Sequence, residues 1–599
     1  MSFEPRPVTV LVLAWNGLDV TKKCLDSLLR ETKHPDFKVM LVDNGSTDGT
    51  PEYVRSLDGV ELLENGENLG FVGGNNTGIK ATTTDVVLLN NDTEIIQGDW
   101  LLLMQELAYS EDDIGVVGCR LVNDEGRLVH AGTYMPVPSF WGQEYPGDEK
   151  DIGQYRDDRE VEGVIAACVY IKRELIDKIG GLDTAYFSYY EDTDYCIRAR
   201  ESGYRVFCSK ATVMHLENAS TAVNRMDFSG TFRKSRETFM GKWKTAIESR
   251  YTSMLTWRSF ISGENDFAWA SEKLLWALDE AGVEANLAFL EGADRAELTD
   301  FRVNDMKNRG SDRDRPQVMF GPPSRAADAD GSKNVAWVAT PYETFKPEWV
   351  KELNRLDEVW VPSAFQREAA LASGVKTKIE LMPFGVDPEY FNPGITGYPL
   401  SDRFTFIAFV DWGAGSAHKA LLNAYTQEFS GKDKVVLLVV AKQIEPGGEA
   451  EEEVEAMNLG MDRAPVVFVV DHEVPHYQYG CLYRSADCLL IAGRDADNDH
   501  RALEALACGV PVVAPAWGSM LDLVRDTAVS GYDCDTIVSP EGLNWAEPST
   551  GSLQAALRAA VDDAEGRRAA ALLMGEQVRS QRSWKALASK MVARLDVLR

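Results

Sequence analysis

Residues 38–50 read KVMLVDNGSTDGT, an apolar strand that runs into a turn rich in Asp, Asn, Gly and Ser. The same succession of apolar strand and polar turn occurs at VTVLVLAWNG (8–17) and at DVVLLNNDT (85–93). Apolar strands separated by amphipathic helices are typical of parallel sheets that are covered on both faces. We therefore predict an α/β fold whose ligands bind beyond the carboxyl ends of the strands.

Asp43 ends the strand at 38–43 and opens the polar turn. At this position its carboxylate is placed to accept hydrogen bonds from a nucleotide base or a ribose. Asp and Ser are also preferred caps at the start of a helix, which would make the residue purely structural. The residue alone leaves both interpretations open.

The segment ENLGFVGGNNTGI (67–79) contains four glycines, Gly70 and Gly74 among them. Glycines let backbone N–H groups approach a phosphate, and a following helix would offer its positive end to the same group. The segment does not fit the GxGxxG fingerprint of dinucleotide-binding sites. It therefore predicts a phosphate-binding loop and disfavours an NAD-dependent oxidoreductase.

The strand at 85–90 delivers Asn90 and Asp92 at its carboxyl end. A carboxylate beside a phosphate-binding loop suits a divalent cation that bridges the protein to a diphosphate. His215 follows another strand-like run, in ATVMHLENAS (211–220). A lone histidine there is usually structural, but it is also able to complete a metal shell.

Two adjacent carboxylates, Glu191 and Asp192, lie in FSYYEDTDYCIRARESGYR (187–205). Acidic residues in the first turn of a helix are favourable with the helix dipole, which is the structural interpretation. Carboxylates in a loop rich in Tyr and Phe also suit a general base surrounded by rings that stack on a sugar.

In this order and spacing, these pieces and EGVIAACVYIKR (162–173) resemble the family-2 inverting glycosyltransferases of the GT-A fold. The subgroup that the N-terminal part most resembles includes rhamnosyltransferase-type enzymes of bacterial surface polysaccharide synthesis. One departure is that the usual Asp-x-Asp motif reads Asn90-Asn91-Asp92, which leaves one side-chain charge for the metal.

The resemblance implies a role for each matching residue. Asp192 would be the base that deprotonates the acceptor hydroxyl, with Glu191 beside it. Asp92 and His215 would hold Mn²⁺ or Mg²⁺, and Asp43 would read the nucleotide. The nucleotide-sugar donor would be bound by Asn16, Asp43, Gly70, Gly74, Asn76, Asn90 and Asp92.

Two later segments, MPFGVDPEYFNP (382–393) and ALEALACGVPVVA (502–514), resemble the family-4 retaining glycosyltransferases of the GT-B fold. That resemblance implies two Rossmann-like domains with a cleft between them. It also implies that His418 and Lys419 contact the donor diphosphate and that Glu504 grips the donor ribose.

The family's first glutamate is replaced by Ala496, and acidic residues stand in its glycine-rich loop. Acidic groups there would repel a diphosphate, unless Asp495 or Asp497 takes over the missing role. Three interpretations remain: an active transferase with unusual donor contacts, a weakened one, or a domain kept for acceptor binding.

Composition bounds the function further. The chain has 599 residues, with 62 Lys and Arg against 94 Asp and Glu, a formal net charge of −32. This acidity disfavours a nucleic-acid partner and a general affinity for anionic lipid. The absence of a signal-peptide pattern and of a membrane-length apolar run favours a cytoplasmic location, with peripheral association at the inner face of the membrane as an option.

We predict a GT-A domain over 1–250, followed by acceptor-side and donor-side Rossmann-like domains over 251–395 and 396–599. Within these, we expect a mobile charged loop at 305–333 and an acidic loop at 445–457.

The leading functional hypothesis is a bifunctional glycosyltransferase that adds sugars from UDP-, dTDP- or GDP-linked donors to a glycan or lipid-linked glycan in surface polysaccharide synthesis. The alternative is one active GT-A transferase fused to a GT-B domain that only binds acceptor or carbohydrate.

Overall fold

The computed structural model divides the chain into two compact units. The first contains residues 1–151 and 155–249, and the second contains residues 152–154 and 250–599. The residues that the structure describes are 3–135, 143–144, 149–216, 229–261, 266–290, 301–307, 309–310, 312–400, 402–411, 417–442, 466–470, 474–491, 494, 499–524 and 527–598.

The first unit is built on one mixed sheet. Its strands are β1 Val8–Ala14, β2 Phe37–Asp43, β3 Val60–Glu64, β4 Asp85–Asn90, β5 Thr93–Glu94, β6 Ile114–Val122, β7 Arg127–His130, β10 Glu149–Lys150, β11 Arg159–Glu160, β12 Cys168–Ile171 and β13 Arg205–His215, with β8 Thr133–Tyr134 and β9 Gln143–Glu144 forming a separate pair. The helices are α1 Leu18–Glu31, α2 Thr50–Arg55, α3 Gly70–Ala81, α4 Trp100–Ala108, α5 Arg173–Ile179, α6 Glu191–Glu201 and α7 Ser229–Glu248.

Strand order places the polar turns side by side. The parallel strands run β3-β2-β1-β4, and β12 then pairs with β4 in the antiparallel direction. The central strands are apolar along their whole length because helices cover both faces, and Val10, Leu41 and Val87 are buried. The carboxyl ends of β1, β2 and β4 therefore meet at one edge.

The second unit contains two six-stranded parallel sheets. The first sheet holds β14 Ser253–Ser259, β15 Val283–Phe289, β16 Gln317–Gly321, β17 Asn334–Val338, β18 Glu358–Val361 and β19 Ile379–Leu381. The second holds β20 Phe404–Asp411, β21 Val435–Lys442, β22 Val466–Val470, β23 Cys488–Leu490, β24 Val512–Pro515 and β25 Val529–Tyr532, followed by the hairpin of β26 Cys534–Val538 and β27 Asn544–Pro548. The helices are α8 Asp266–Glu280, α9 Phe301–Lys307, α10 Pro347–Leu353, α11 Ala364–Ala372, α12 His418–Glu428, α13 Tyr479–Arg484, α14 His500–Ala507, α15 Thr550–Asp562, α16 Ala564–Gln581 and α17 Trp584–Leu598.

Two late segments of the second unit pack against its first sheet. Helix α17 buries Trp584 and Met591 in the cluster that contains Trp257 of β14. Hairpin β26–β27 places Trp545 in the cluster of Tyr342 and other residues of the first sheet. The end of the chain thus completes the apolar core of the first sheet, while the second sheet has a core of its own around Phe406 and Leu437.

The predicted α/β class with parallel sheets is confirmed. The predicted loop at 305–333 is wrong, because it contains β16, which pairs with β14 and β17 inside the first sheet. The charged residues on either side mask this short buried strand of five residues. The predicted acidic loop at 445–457 lies outside the described residues. Among the described helices, none is both long and apolar enough to cross a membrane.

Candidate active site

Asp43 lies at the end of β2 and is 2% exposed. Its Oδ2 atom accepts hydrogen bonds from the backbone N–H groups of Gly45 and Ser46, at 3.0 Å each. It does not cap α2, whose cap residue is Gly49. Its Oδ1 atom has no hydrogen-bond partner among the described residues. One carboxylate oxygen therefore closes the turn, and a ligand contact of the other stays a prediction.

Asn16 joins the turn after β1 to the turn after β2. Its side-chain oxygen accepts from Thr47 N at 2.9 Å, and its own backbone N–H donates to Ser46 Oγ at 2.7 Å. Its backbone is left-handed, with φ of 56°. Asn16 therefore fixes the loop that carries Asp43, while a direct contact with a donor stays a prediction.

The glycine-rich segment forms the first turns of α3 and not a loop. Gly70 has φ of 74°, and a Cβ atom there would lie 2.6 Å from Phe187 Cδ2. A Cβ atom on Gly74 would lie 2.9 Å from Asn44 Nδ2. The prediction of a phosphate loop is wrong for Gly74, because this glycine allows the helix to pack closely against the sheet.

Asn76 holds a neighbouring loop in place. Its amide donates to Leu182 O at 2.8 Å and accepts from Leu182 N at 2.9 Å, and the side chain is buried. The predicted donor contact of Asn76 does not fit this geometry, because the amide already binds backbone on both sides.

Asp92 and His215 lie together. Strand β13 pairs with β5 so that His215 is opposite Thr93, and the His215 Nε2 atom is 3.3 Å from Asp92 Oδ1. Both side chains are largely buried, and His215 Nδ1 has no hydrogen-bond partner among the described residues. These two residues are more than a hundred positions apart in the sequence. The pairing of β13 with β5 brings them into contact.

The pair of Asp92 and His215 provides one carboxylate and one imidazole for a cation. No group of three His, Cys, Asp or Glu side chains that would hold a metal occurs among the described residues. Mg²⁺ is usually held by one or two carboxylates plus substrate phosphates, and Mn²⁺ also accepts carboxylate ligands, so a complete protein cage is not required. Asp92 and the unsatisfied imidazole of His215 thus fit a cation whose remaining ligands come from a diphosphate.

A cavity of about 320 Å³ joins the predicted groups from distant parts of the sequence. Its lining combines polar side chains with aromatic rings. The cavity is lined by Phe71, Asn90, Thr133, Ile165, Ala166, Ala167, Ser188, Tyr189, Tyr190, Glu191, Asp192, Thr193, His215 and Phe232. Asn16, Asp43, Gly70, Gly74 and Asn76 are not among these lining residues.

The two carboxylates in the cavity differ in their surroundings. Asp192 accepts hydrogen bonds from Thr193 N at 2.6 Å and from Ala166 N at 3.2 Å, whereas Glu191 Oε2 has no partner among the described residues. Burial and the charge of Asp192 raise the pKa of Glu191 well above its usual value. Burial also raises the pKa of Asp192, and the two backbone N–H groups oppose that rise. Asp192 is therefore the better holder of the negative charge, as a base requires.

The backbone before these carboxylates is strained. Tyr189 and Tyr190 are both left-handed, with φ of 70° and 68°, a conformation that bulky residues rarely adopt. Strained residues cluster at functional sites, where the surrounding structure holds them. The turn directs the start of α6, with Glu191 and Asp192, into the cavity.

Several lining residues were not predicted from the sequence. Thr133 and Phe232 lie in segments without a recognisable motif, so only the fold brings them to the cavity. The Thr133 Oγ1 atom is buried and has no partner among the described residues. Ala166 belongs to the segment 162–173, but it binds Asp192 through its backbone N–H. Such a contact does not depend on the side chain, so the residue type does not predict it.

The predicted donor residues of the second unit differ in their surroundings. Glu504 is 2% exposed and accepts from Tyr483 OH at 2.8 Å, and Arg501 Nη1 lies 3.8 Å from the same carboxylate oxygen. At the start of α12, His418 is buried while Lys419 is exposed. Asp497 lies outside the described residues. These contacts commit one oxygen of Glu504 to an internal network.

Comparison with known proteins agrees with the geometry of the first unit. Residues 9–180 match the family model described as "Glycosyl transferase family 2". The chain is 29% identical over 251 residues to the uncharacterized protein y4gI of Sinorhizobium fredii, covering 40% of this chain and 28% of that protein. It is 30% identical over 225 residues to the O-antigen biosynthesis protein RfbC of Myxococcus xanthus, covering 36% of this chain and 17% of that protein.

A third relative is the N-acetylglucosaminyl-diphospho-decaprenol L-rhamnosyltransferase of Mycobacterium tuberculosis. The identity is 24% over 273 residues, covering 40% of this chain and 87% of that protein. The chain spans less than a third of the length of the first two relatives. On the family match and these relatives, the N-terminal region of the chain is a glycosyltransferase family 2 domain of the GT-A type.

Proposed function

We propose that the first unit is an inverting hexosyltransferase that uses a nucleotide-sugar donor. The observation that carries this proposal is the shared cavity of Asp192, Glu191, Asn90 and His215, with Asp92 3.3 Å from His215. Glycosyl transfer from a diphosphate requires a base and, commonly, a cation, and here His215 lines the cavity of the base while Asp92, which is not a lining residue, lies beside His215.

In the proposed reaction, Asp192 takes the proton of an acceptor hydroxyl as that oxygen attacks the anomeric carbon of the donor. The new glycosidic bond forms while the bond between the anomeric carbon and the diphosphate breaks, and the diphosphate leaves with its electron pair. Attack from the side opposite the leaving group inverts the anomeric configuration.

The other residues orient these groups. In this proposal, Asp43 accepts a hydrogen bond from the nucleotide through Oδ1, which has no partner among the described residues, on a turn fixed by Asn16. Mn²⁺ or Mg²⁺ held by Asp92 and His215 would, when bound, neutralise charge on the leaving diphosphate. The aromatic rings of Phe71 and Phe232 line the cavity and suit stacking on a sugar.

The substrate class follows from the relatives. One is named for O-antigen biosynthesis, and another for rhamnosyl transfer to a lipid-diphosphate-linked sugar. We infer that this chain acts in the assembly of a glycan or O-antigen on a lipid-linked acceptor. The donor is a UDP-, dTDP- or GDP-linked hexose, and association with the membrane surface would follow from the acceptor.

The test is release of nucleoside diphosphate by the full chain from a panel of UDP-, dTDP- and GDP-linked hexoses with Mn²⁺ or Mg²⁺, with and without a lipid-diphosphate sugar acceptor. We expect release from one donor of the panel, stimulated by the acceptor. Absence of release from every donor in the presence of both metal and acceptor would contradict the proposal.

The pH dependence of transfer should report the buried base. The pKa of Asp192 is raised above 3.8 by burial, and a base must be ionised to accept a proton. The rate should therefore fall, as the pH is lowered, at a higher pH than an exposed aspartate would give. Burial and the charge of Asp192 also raise the pKa of Glu191, well above its usual value. A pH profile of kcat checks this, with tryptophan fluorescence showing that the chain stays folded. An acid limb at the pH of an exposed aspartate would contradict it.

Activity of the second unit is a separate question. The predicted bifunctional enzyme needs Glu504 to bind a donor ribose, yet this carboxylate bonds to Tyr483 and lies near Arg501. The neighbouring Asp499 is paired with Arg582 at 2.7 Å. These contacts favour the alternative, in which the second unit binds acceptor or carbohydrate and the first unit alone transfers sugar.

Glu504→Gln separates the two hypotheses, because Gln keeps the shape and an acceptor for Tyr483. If only the first unit is active, we expect release from every donor of the panel to stay within about twofold of wild type and to vanish with EDTA. Glu428→Gln, which alters an ion pair with Arg558, is the matched control. EDTA-resistant release that Glu504→Gln abolishes would establish a second active site.

A further inference from the structure

Helix α7 lies beyond residues 9–180, which match the family model, yet it touches the segment that carries the base. Ser235 Oγ, which is buried, donates to Ser188 O at 2.8 Å. Phe232 reaches the cavity itself. The helix therefore contacts both the cavity and the backbone that precedes the two carboxylates.

Helix α7 also donates hydrogen bonds to Asp194, which lies two positions after Asp192. Asp194 is fully buried, and it accepts from Trp243 Nε1 at 2.8 Å and from Lys242 Nζ, both on α7. It also pairs with Arg198 at 2.7 Å within α6. A buried carboxylate is costly unless its hydrogen bonds are satisfied, so the donors of α7 fix the position of the first turn of α6.

The strained tyrosines are held by the same helix. The Tyr189 ring packs edge-on against Phe232 at 5.5 Å between centroids, and the Tyr190 ring packs against Phe239 at 4.9 Å. Left-handed backbone at such residues persists only where the surroundings impose it. Helix α7 thus holds the segment from Ser188 to Asp194 by its backbone, its rings and its buried carboxylate.

We propose that Trp243 and Lys242 are positioning residues for transfer, because through Asp194 they fix the direction in which Asp192 enters the cavity. This inference rests on the proposed function of the first unit. A base misplaced by about 1 Å can lower turnover by about 10²-fold, so the contacts of α7 should govern kcat more than donor affinity.

The experiment compares Trp243→Phe with Trp100→Phe in the full chain. Both variants keep a buried ring and lose one indole hydrogen bond. Trp100, the first residue of α4, donates its hydrogen bond to Thr32 and does not line the cavity. With the donor that the panel identifies, we expect kcat to fall about 10- to 100-fold in Trp243→Phe, with KM for that donor within about twofold. Trp100→Phe should keep the wild-type kcat.

A second readout needs no substrate. Amide hydrogen exchange of peptides covering residues 186–196 should become faster in Trp243→Phe and not in Trp100→Phe. If Trp243→Phe folds poorly, Lys242→Met offers the same test on a partly exposed side chain and should lower kcat in the same direction.

The outcomes separate the two levels of inference. Wild-type kcat in both Trp243→Phe and Lys242→Met, with Asp192→Asn inactive, would overturn the positioning role and leave the proposed function intact. Equal losses of kcat in Trp243→Phe and Trp100→Phe would also overturn it, since the effect would then be general destabilisation. Wild-type turnover in Asp192→Asn would instead contradict the proposed function.

Discussion

Asp192→Asn should lower the turnover of transfer by about 10²- to 10⁴-fold, the usual contribution of a general base, and leave donor binding nearly unchanged. Asparagine has nearly the same shape, and its single side-chain oxygen can keep one of the two backbone hydrogen bonds, from Thr193 N or from Ala166 N. It has no ionisable group to take the acceptor proton. Single-turnover transfer and calorimetric binding of the donor would measure the two quantities separately.

The matched control is Glu191→Gln, in the other carboxylate of the same cavity. Burial and the charge of Asp192 raise the pKa of Glu191 well above its usual value, which favours the protonated form that the amide imitates. We expect a loss below tenfold. If Glu191→Gln abolished transfer and Asp192→Asn did not, the two roles would have to be exchanged.

Asp92→Asn should have the second large effect, a loss of at least about 10²-fold, because a cation contributes several kcal/mol of charge stabilisation to the departing diphosphate. The variant removes the carboxylate beside His215 and keeps its shape. The direct measurement on this variant is its Mn²⁺ affinity, determined by electron paramagnetic resonance in the presence of UDP, dTDP or GDP. Nucleotide release with and without EDTA gives the corresponding rate.

Glu94→Gln serves as its control, because Glu94 lies on the neighbouring strand and is opposite Met214 in the pairing of β5 with β13. This control should retain Mn²⁺ affinity and EDTA-sensitive release. Undiminished release by Asp92→Asn in EDTA would show that the pair with His215 is structural.

The sequence predicted those parts of the fold that repeat a strong local pattern. Strand β4, for example, coincides with the run of Val and Leu at 85–90. Strand β16 was missed because its five residues lie between charged segments and gain their stability from β14 and β17. Tertiary pairing, which a local pattern does not contain, decides such strands.

The candidate site shows the same division. Carboxylates at strand and helix ends could be identified as candidate site residues from the sequence, because Asp and Glu are the residue types that accept protons and bind cations. The glycine-rich segment was ambiguous, since glycine serves equally for phosphate contact and for close packing, and Gly74 does the second. Phe232 and Trp243 both lie on α7. The contact of Trp243 with Asp194 in α6 joins positions about fifty residues apart, so no local sequence pattern predicts it.

Helix α17 has a consequence for biosynthesis. The core of the first sheet of the second unit is closed by Trp584 and Met591, which are translated long after Trp257 in the same cluster. The first unit contains no residue later than 249. On the ribosome, we therefore expect the family 2 domain to fold early, while strands β14–β19 stay incomplete, and dependent on protection from aggregation, until α17 has emerged.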